Sequence, residues 1–129
     1  MNYVNTVTGP VAASELGRTL MHEHFLFGFC GFQGDATLGG FKEEEYTRDC
    51  LKAVDDARAY GINTIVDATT NECGRNVRFL KKISDMTGMN IICSTGYYFQ
   101  AESAYAYWNF RRGFANIEEE IYEMMVTEL

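Results

Sequence analysis

The chain has 129 residues, 47% of them hydrophobic and 14% aromatic, which suffices for one modest core and is not the composition of a disordered segment. Its 11 Lys and Arg stand against 18 Asp and Glu, a formal charge of -7, so no basic surface is available to neutralise nucleic-acid phosphates. No apolar run approaches the roughly 20 residues of a membrane span, and the N-terminus lacks the basic and apolar blocks of a signal peptide. A cytoplasmic protein with neither a membrane nor a nucleic acid as partner is the expectation.

Between residues 3 and 24, short β-prone runs alternate with turn signals: Val4 to Val7, Gly9-Pro10, Glu15-Leu16-Gly17, then Thr19 to Met21. This pattern predicts a β-hairpin feeding a first core strand. The strand runs into Thr19-Leu20-Met21-His22-Glu23-His24, which holds the only two histidines of the chain. Residues two apart on a strand share a face, so both imidazoles can reach one metal ion while Glu23 turns to the other side. On a helix the two would diverge by about 200°, which excludes the helical H-E-x-x-H of zinc proteases. Either histidine alone reads most simply as a hydrogen-bonded core residue; as a pair at a strand end they are the candidate metal ligands.

From Phe25 to Phe41 the chain carries Gly28, Gly31, Gly34, Gly39 and Gly40 among phenylalanines. That is too rich in glycine for a helix and too aromatic for a solvated linker, so a packed loop is expected. Tyr46, Cys50, Ala53, Val54, Ala57 and Tyr60 then make a helical stripe closed by Gly61, and Ile62 to Ala68 reads as a strand. The order repeats: Val77, Leu80, Ile83 and Met86 form a stripe, Gly88 ends it, and Met89 to Ser94 is the next strand. Tyr60-Gly61-Ile62-Asn63 and Thr87-Gly88-Met89-Asn90 mark one helix-to-strand unit used twice, which predicts βαβ crossovers, a parallel sheet and an α/β fold. Both strands are almost wholly apolar, as expected when both faces are covered; an antiparallel α+β sheet fits less well.

Asp67, near the end of the second strand, can orient a metal ligand or simply cap a turn. Thr95-Gly96-Tyr97-Tyr98-Phe99 follows the third strand, where a barrel presents a substrate-facing loop. A tyrosine there can offer its hydroxyl to a substrate carbonyl, or plug against the loop after His24. Tyr105, Tyr107, Trp108 and Phe110 extend the aromatic group as a pocket rim, and Arg111-Arg112 reads as a solvated turn. Asn116 and Glu119 resemble a capping box for a helix whose stripe, Ile117, Ile121, Met124, Met125 and Leu129, runs to the last residue. A stripe without a closing signal gives the expectation of a chain cut before its next strand. Cys30, Cys50, Cys73 and Cys93 form no C-x-x-C pair and read as reduced thiols, mostly buried. Nucleotide-binding glycine loops and a G-x-S-x-G elbow are absent from the sequence.

Five stretches, taken in order, carry a resemblance: Thr6-Val7-Thr8-Gly9-Pro10, Leu16 through His24, Thr64-Ile65-Val66-Asp67-Ala68-Thr69, Gly74-Arg75-Asn76, and Ser94-Thr95-Gly96-Tyr97-Tyr98. In them the chain resembles the N-terminal part of the phosphotriesterase family, in the amidohydrolase superfamily of metal-dependent hydrolases. The T-L-x-H-E-H block followed by the G-R-[DN] turn is the specific element.

The resemblance implies a (β/α)8 barrel with two divalent metals, usually zinc, at the C-terminal ends of its strands. It implies that His22 and His24 bind the more buried metal and that Tyr98 lines the substrate pocket. The bridging carboxylated lysine, two further histidines and the catalytic aspartate of the family come from later strands and have no counterpart in residues 1 to 129. No catalytic residue is therefore assigned within this chain, which corresponds to the first three βα units of a barrel that needs about 250 residues.

The expected activity is hydrolysis of a lactone or carboxylic ester, with phosphotriester cleavage incidental, by water activated at the metals. Unpaired strand edges imply a homo-oligomer or edge-to-edge pairing. The alternative is a catalytically silent half-barrel in which His22 and His24 are vestigial and the chain acts through self-association or a partner.

Overall fold

The computed structural model describes residues 2–98 and 103–128. Strands β1 (Tyr3–Thr6) and β2 (Gly9–Ala12) pair antiparallel, Tyr3 opposite Ala12 and Thr6 opposite Gly9. Gly9-Pro10, expected as the turn, instead opens β2, and the chain reverses at Val7-Thr8, where the Thr6 hydroxyl donates to the Gly9 carbonyl at 2.7 Å. A proline fits there because both strands of a two-stranded sheet are edges and can spare an N–H.

Two crossovers follow: β3 (Arg18–Glu23), α1 (Glu43–Ala59), β4 (Ile62–Asp67), α2 (Val77–Thr87) and β5 (Asn90–Cys93). The three strands form one parallel sheet in the order β3-β4-β5, so the α/β class is as expected. Thr64 and Ile65 are adjacent on β4, point to opposite faces, and are both buried, which shows that both faces of the sheet are covered. The hairpin also meets the outer strand, where the Val7 N–H donates to the Ile91 carbonyl at 2.9 Å.

Local chemistry explains the helix limits. Glu43, Glu44 and Glu45 occupy the first turn of α1, where the helix dipole favours negative charge. The Asn76 side chain caps α2 by accepting from the Phe79 N–H at 3.1 Å, and Gly88 closes it in the left-handed region at φ 70°.

The buried face of α2 differs from the expected stripe. Phe79, Leu80, Ile83 and Ser84 are buried, whereas Val77 and Met86 are 44% and 55% exposed. Successive three-residue steps drift about 60° around a helix, so only the middle pair of a 77-80-83-86 spacing can stay in the core. Tyr60, counted in the α1 stripe, is likewise exposed because it caps the helix and leaves its direction.

The glycine-rich segment after β3, expected as a packed loop, packs only in part: Phe27, Phe29 and Leu38 are exposed. Leu26 is buried, and the Phe32 ring lies so close to Gly28 and Gly74 that an added Cβ would come within 2.6 Å and 2.5 Å of it. Glycine at those two positions makes room for an aromatic ring.

Beyond β5, residues expected as an aromatic rim and a solvated turn form a helix, α3 (Ser103–Arg111), followed by α4 (Ile117–Glu128). Aromatic residues have weak helix propensity, which hid α3. Arg111 is not in a solvated turn: its Nε donates to Glu120 at 2.8 Å and ties α3 to α4. At the start of α4 the Asn116 amide meets the Glu119 carboxylate at 3.3 Å, side chain to side chain. Phe99, Leu129 and the Tyr105 side chain lie outside the described residues. No helix among the described residues is long and apolar enough to cross a membrane.

All four cysteines are free thiols: Cys50 and Cys73 are buried, Cys93 is half-buried and Cys30 is exposed. Burial pushes the Cys50 thiol up to about 11, with Asp49 and Asp67 adding to the effect. Burial, then Asp67, pushes Cys93 up to about 12. Because the thiolate is the nucleophile, iodoacetamide at mildly alkaline pH is expected to label Cys30 well before Cys50 or Cys93, as mass spectrometry of peptides will read. Ile83, fully buried, anchors the core: Ile83→Ala should lower the unfolding free energy in urea by about 2–5 kcal/mol, against about 0.5 kcal/mol or less for Met86→Ala.

Candidate metal centre

The parallel strands all end on one side of the sheet, and the residues just past those ends form the site. His22 lies within β3 and His24 one residue beyond it. The imidazoles come together as expected, with ring centroids 5.2 Å apart and planes at 75°, although the register of β3 against β4 shifts between Leu20 and Glu23. Both rings are exposed to the cleft side. Glu23, between them, lines a groove against Tyr46, Asp49 and Cys50 of α1.

Main-chain bonds carry the sheet past its strand ends. The Ala68 N–H donates to the Glu23 carbonyl at 3.1 Å, and the Ser94 N–H donates to the Asp67 carbonyl at the same distance. Asp67 is 1% exposed, and each of its carboxylate oxygens accepts a backbone N–H. One oxygen accepts the Phe25 N–H at 3.0 Å and the other the Thr69 N–H at 2.9 Å. Asp67 thus orients the chain on both sides of the site and reaches the imidazole through Thr69 alone. The Thr69 hydroxyl lies 2.8 Å from His24 Nδ1 and donates to the Leu26 carbonyl at 3.2 Å.

Thr69 was not singled out from the sequence. The signal was present in the strand register: Glu23 pairs with Asp67, so the residues just after Asp67 must flank His24.

His22, His24, Phe27, Ala68, Thr70 and Tyr98 line a cleft of about 500 Å³. Tyr98 therefore stands beside the histidines, its N–H bonded to the Glu72 carboxylate, and the Phe27 ring packs edge-on against His24 at 5.2 Å. Tyr97 turns away, packing on Trp108 and donating to the Met124 sulfur at 3.3 Å. Lys81 and Lys82 pair with Asp85 and Glu43 on the helical surface, remote from the cleft.

Among the described residues, no three His, Cys, Asp or Glu side chains converge as a metal site. The imidazole pair fits a divalent ion as two of the three or more protein ligands that such an ion takes.

In open parallel sheets, ligands bind beyond the carboxyl ends of the strands, which is where this histidine pair stands. The chain belongs to the phosphotriesterase family, whose model matches residues 2–129.

It is similar to the organophosphorus hydrolase of Deinococcus radiodurans, with 48% identity and a TM-score of 0.89 over 98% of this chain and 38% of that one. A mutant PTE-like lactonase from the same organism matches at 48% identity and a TM-score of 0.87, over 97% of this chain and 39% of that one. An aryldialkylphosphatase of Saccharolobus solfataricus is 32% identical over 100 residues, 77% of this chain and 31% of the relative. An N-acetyltaurine hydrolase of Xenopus tropicalis is 32% identical over 124 residues, 76% and 36% of the respective lengths. The chain spans about a third of the length of the relatives it matches.

The Asp67 clamp makes a direct prediction. Asp67→Ala leaves two backbone N–H groups without their acceptor and should cost at least about 1–3 kcal/mol of stability in denaturant. Amide exchange at Phe25 and Thr69 should accelerate more than at Ile83.

Proposed function

We propose that residues 1–129 are the N-terminal part, the first three βα units, of a (β/α)8 metal-dependent hydrolase of phosphotriesterase type. The parallel β3-β4-β5 order with helical crossovers supports the barrel reading, as does the alignment along barrel-length relatives. The observation that carries the functional reading is the facing His22 and His24 pair at the carboxyl ends of the strands.

In this reading His22 and His24 hold a divalent ion, zinc by preference, in a two-metal centre whose remaining ligands come from residues beyond this set. A bound divalent ion supplies Lewis-acid polarisation of a carbonyl or phosphoryl oxygen and acidifies water. Phe27 and Tyr98 flank the imidazoles and line the cleft. A lactone or carboxylic ester is the proposed substrate, in keeping with the lactonase among the similar structures, and phosphotriesters come second. Four unbridged cysteines accord with a cytoplasmic location.

A second reading has its own observation: β3 has a neighbour on one side only among the described strands. Such an edge can pair with another chain, and a homo-oligomer formed this way would be visible by sedimentation.

Zinc titration against a competing chromogenic chelator, together with a panel of lactone, carboxylic ester and phosphotriester substrates, tests the proposal. The chain should bind zinc, and His22→Ala and His24→Ala should each abolish binding. Zinc uptake unchanged in both variants would overturn the assignment of this pair.

A further inference from the structure

We propose that Thr69 is the positioning residue that sets the tautomer of His24, keeping the ring proton on Nδ1 and leaving the Nε2 lone pair for a divalent cation. This inference rests on the metal-hydrolase reading above and deepens it. A threonine hydroxyl has one proton to give and two lone pairs to accept with. The Thr69 proton goes to the Leu26 carbonyl at 3.2 Å, and the same oxygen lies 2.8 Å from His24 Nδ1. With its proton committed, the oxygen can only accept, so Nδ1 carries the hydrogen. A neutral imidazole protonated on Nδ1 has its free lone pair on Nε2.

The opposite arrangement, with the hydroxyl donating to Nδ1, removes this donor from the carbonyl of Leu26, a residue 4% exposed. Buried carbonyls are rarely left without a donor, which selects the first arrangement.

The main chain of Thr69 is also held in place. The residue is 1% exposed, its N–H donates to Asp67 at 2.9 Å, and its carbonyl accepts from the Ser94 hydroxyl at 3.1 Å. Those bonds connect it to the ends of β4 and β5, while Leu26 and His24 lie just past β3. One threonine therefore joins all three strand ends and passes their rigidity to a single ring nitrogen. A hydrogen-bonded second ring nitrogen is the usual companion of a metal-ligating histidine, fixing both tautomer and orientation.

The chain's two histidines make the test direct. Long-range proton–nitrogen spectra of the metal-free, nitrogen-15-labelled chain, at a pH well above the ordinary imidazole range, distinguish the tautomers, and His22→Gln assigns the signals. His24 is expected with Nδ1 protonated and Nε2 bare, in the native chain and in Thr69→Ser. Thr69→Val should lose the Nδ1–H signature of His24 while leaving His22 unchanged, and should weaken binding of zinc alone by about 10- to 100-fold.

An Nε2–H tautomer at His24 in the native chain would overturn the proposal, as would a folded Thr69→Val that keeps the Nδ1–H form. If Thr69→Val does not fold, the native and Thr69→Ser spectra decide alone, since both must show Nδ1–H. An Nδ1–H His24 with no zinc response would contradict the metal-hydrolase reading while upholding the role of Thr69 in the tautomer.

Discussion

Everything at the candidate site hangs on the buried Asp67 carboxylate. Its two oxygens hold the N–H groups of Phe25 and Thr69, one just past His24 and the other just past β4. A buried carboxylate is costly unless its lone pairs are satisfied, and here backbone donors satisfy them from two strands at once. The result is a side-chain cross-brace that reinforces the main-chain bonds carrying the sheet past its strand ends. The position of His24 and its contact with Thr69 both follow from that brace, and the cleft between the imidazoles and Tyr98 inherits its shape from it.

The fold was legible wherever a local signal had a local cause. The left-handed turns at Gly61 and Gly88 need a residue without a Cβ penalty, so helix ends and strand starts could be read directly from the repeated glycine pattern. The histidine pair was legible for a similar reason, since strand alternation alone places residues 22 and 24 on one face. Apolar stripes were less reliable: Val77 and Met86 match a helical spacing but lie past the edge of the buried arc of α2. Helix α3 was invisible because its aromatic sequence carries neither strong propensity nor a clear stripe.

Thr69 and the true task of Asp67 depend on which residues lie opposite across strands that are distant in sequence. Thr69 sits 45 positions from His24, and only the register of β3 against β4 brings them together. Likewise the G-R-N turn reads locally as a motif, yet two of its three residues act on distant parts of the chain. Gly74 admits the Phe32 ring, Arg75 donates to the Ser94 carbonyl at 2.8 Å, and Asn76 caps α2. The supporting positions Asp67 and Thr69 are thus set by pairing, and pairing is not written in composition or periodicity.

The central claim is that His22 and His24 together ligate one divalent ion through imidazole nitrogen. X-ray absorption at the zinc edge of the zinc-loaded chain tests it most directly, because imidazole, thiolate and carboxylate give separable shells. The account predicts two imidazole nitrogens at about 2.0–2.1 Å, completed by oxygen. A sulfur shell at about 2.3 Å, placing the ion on a cysteine, or an oxygen shell without imidazole would contradict it.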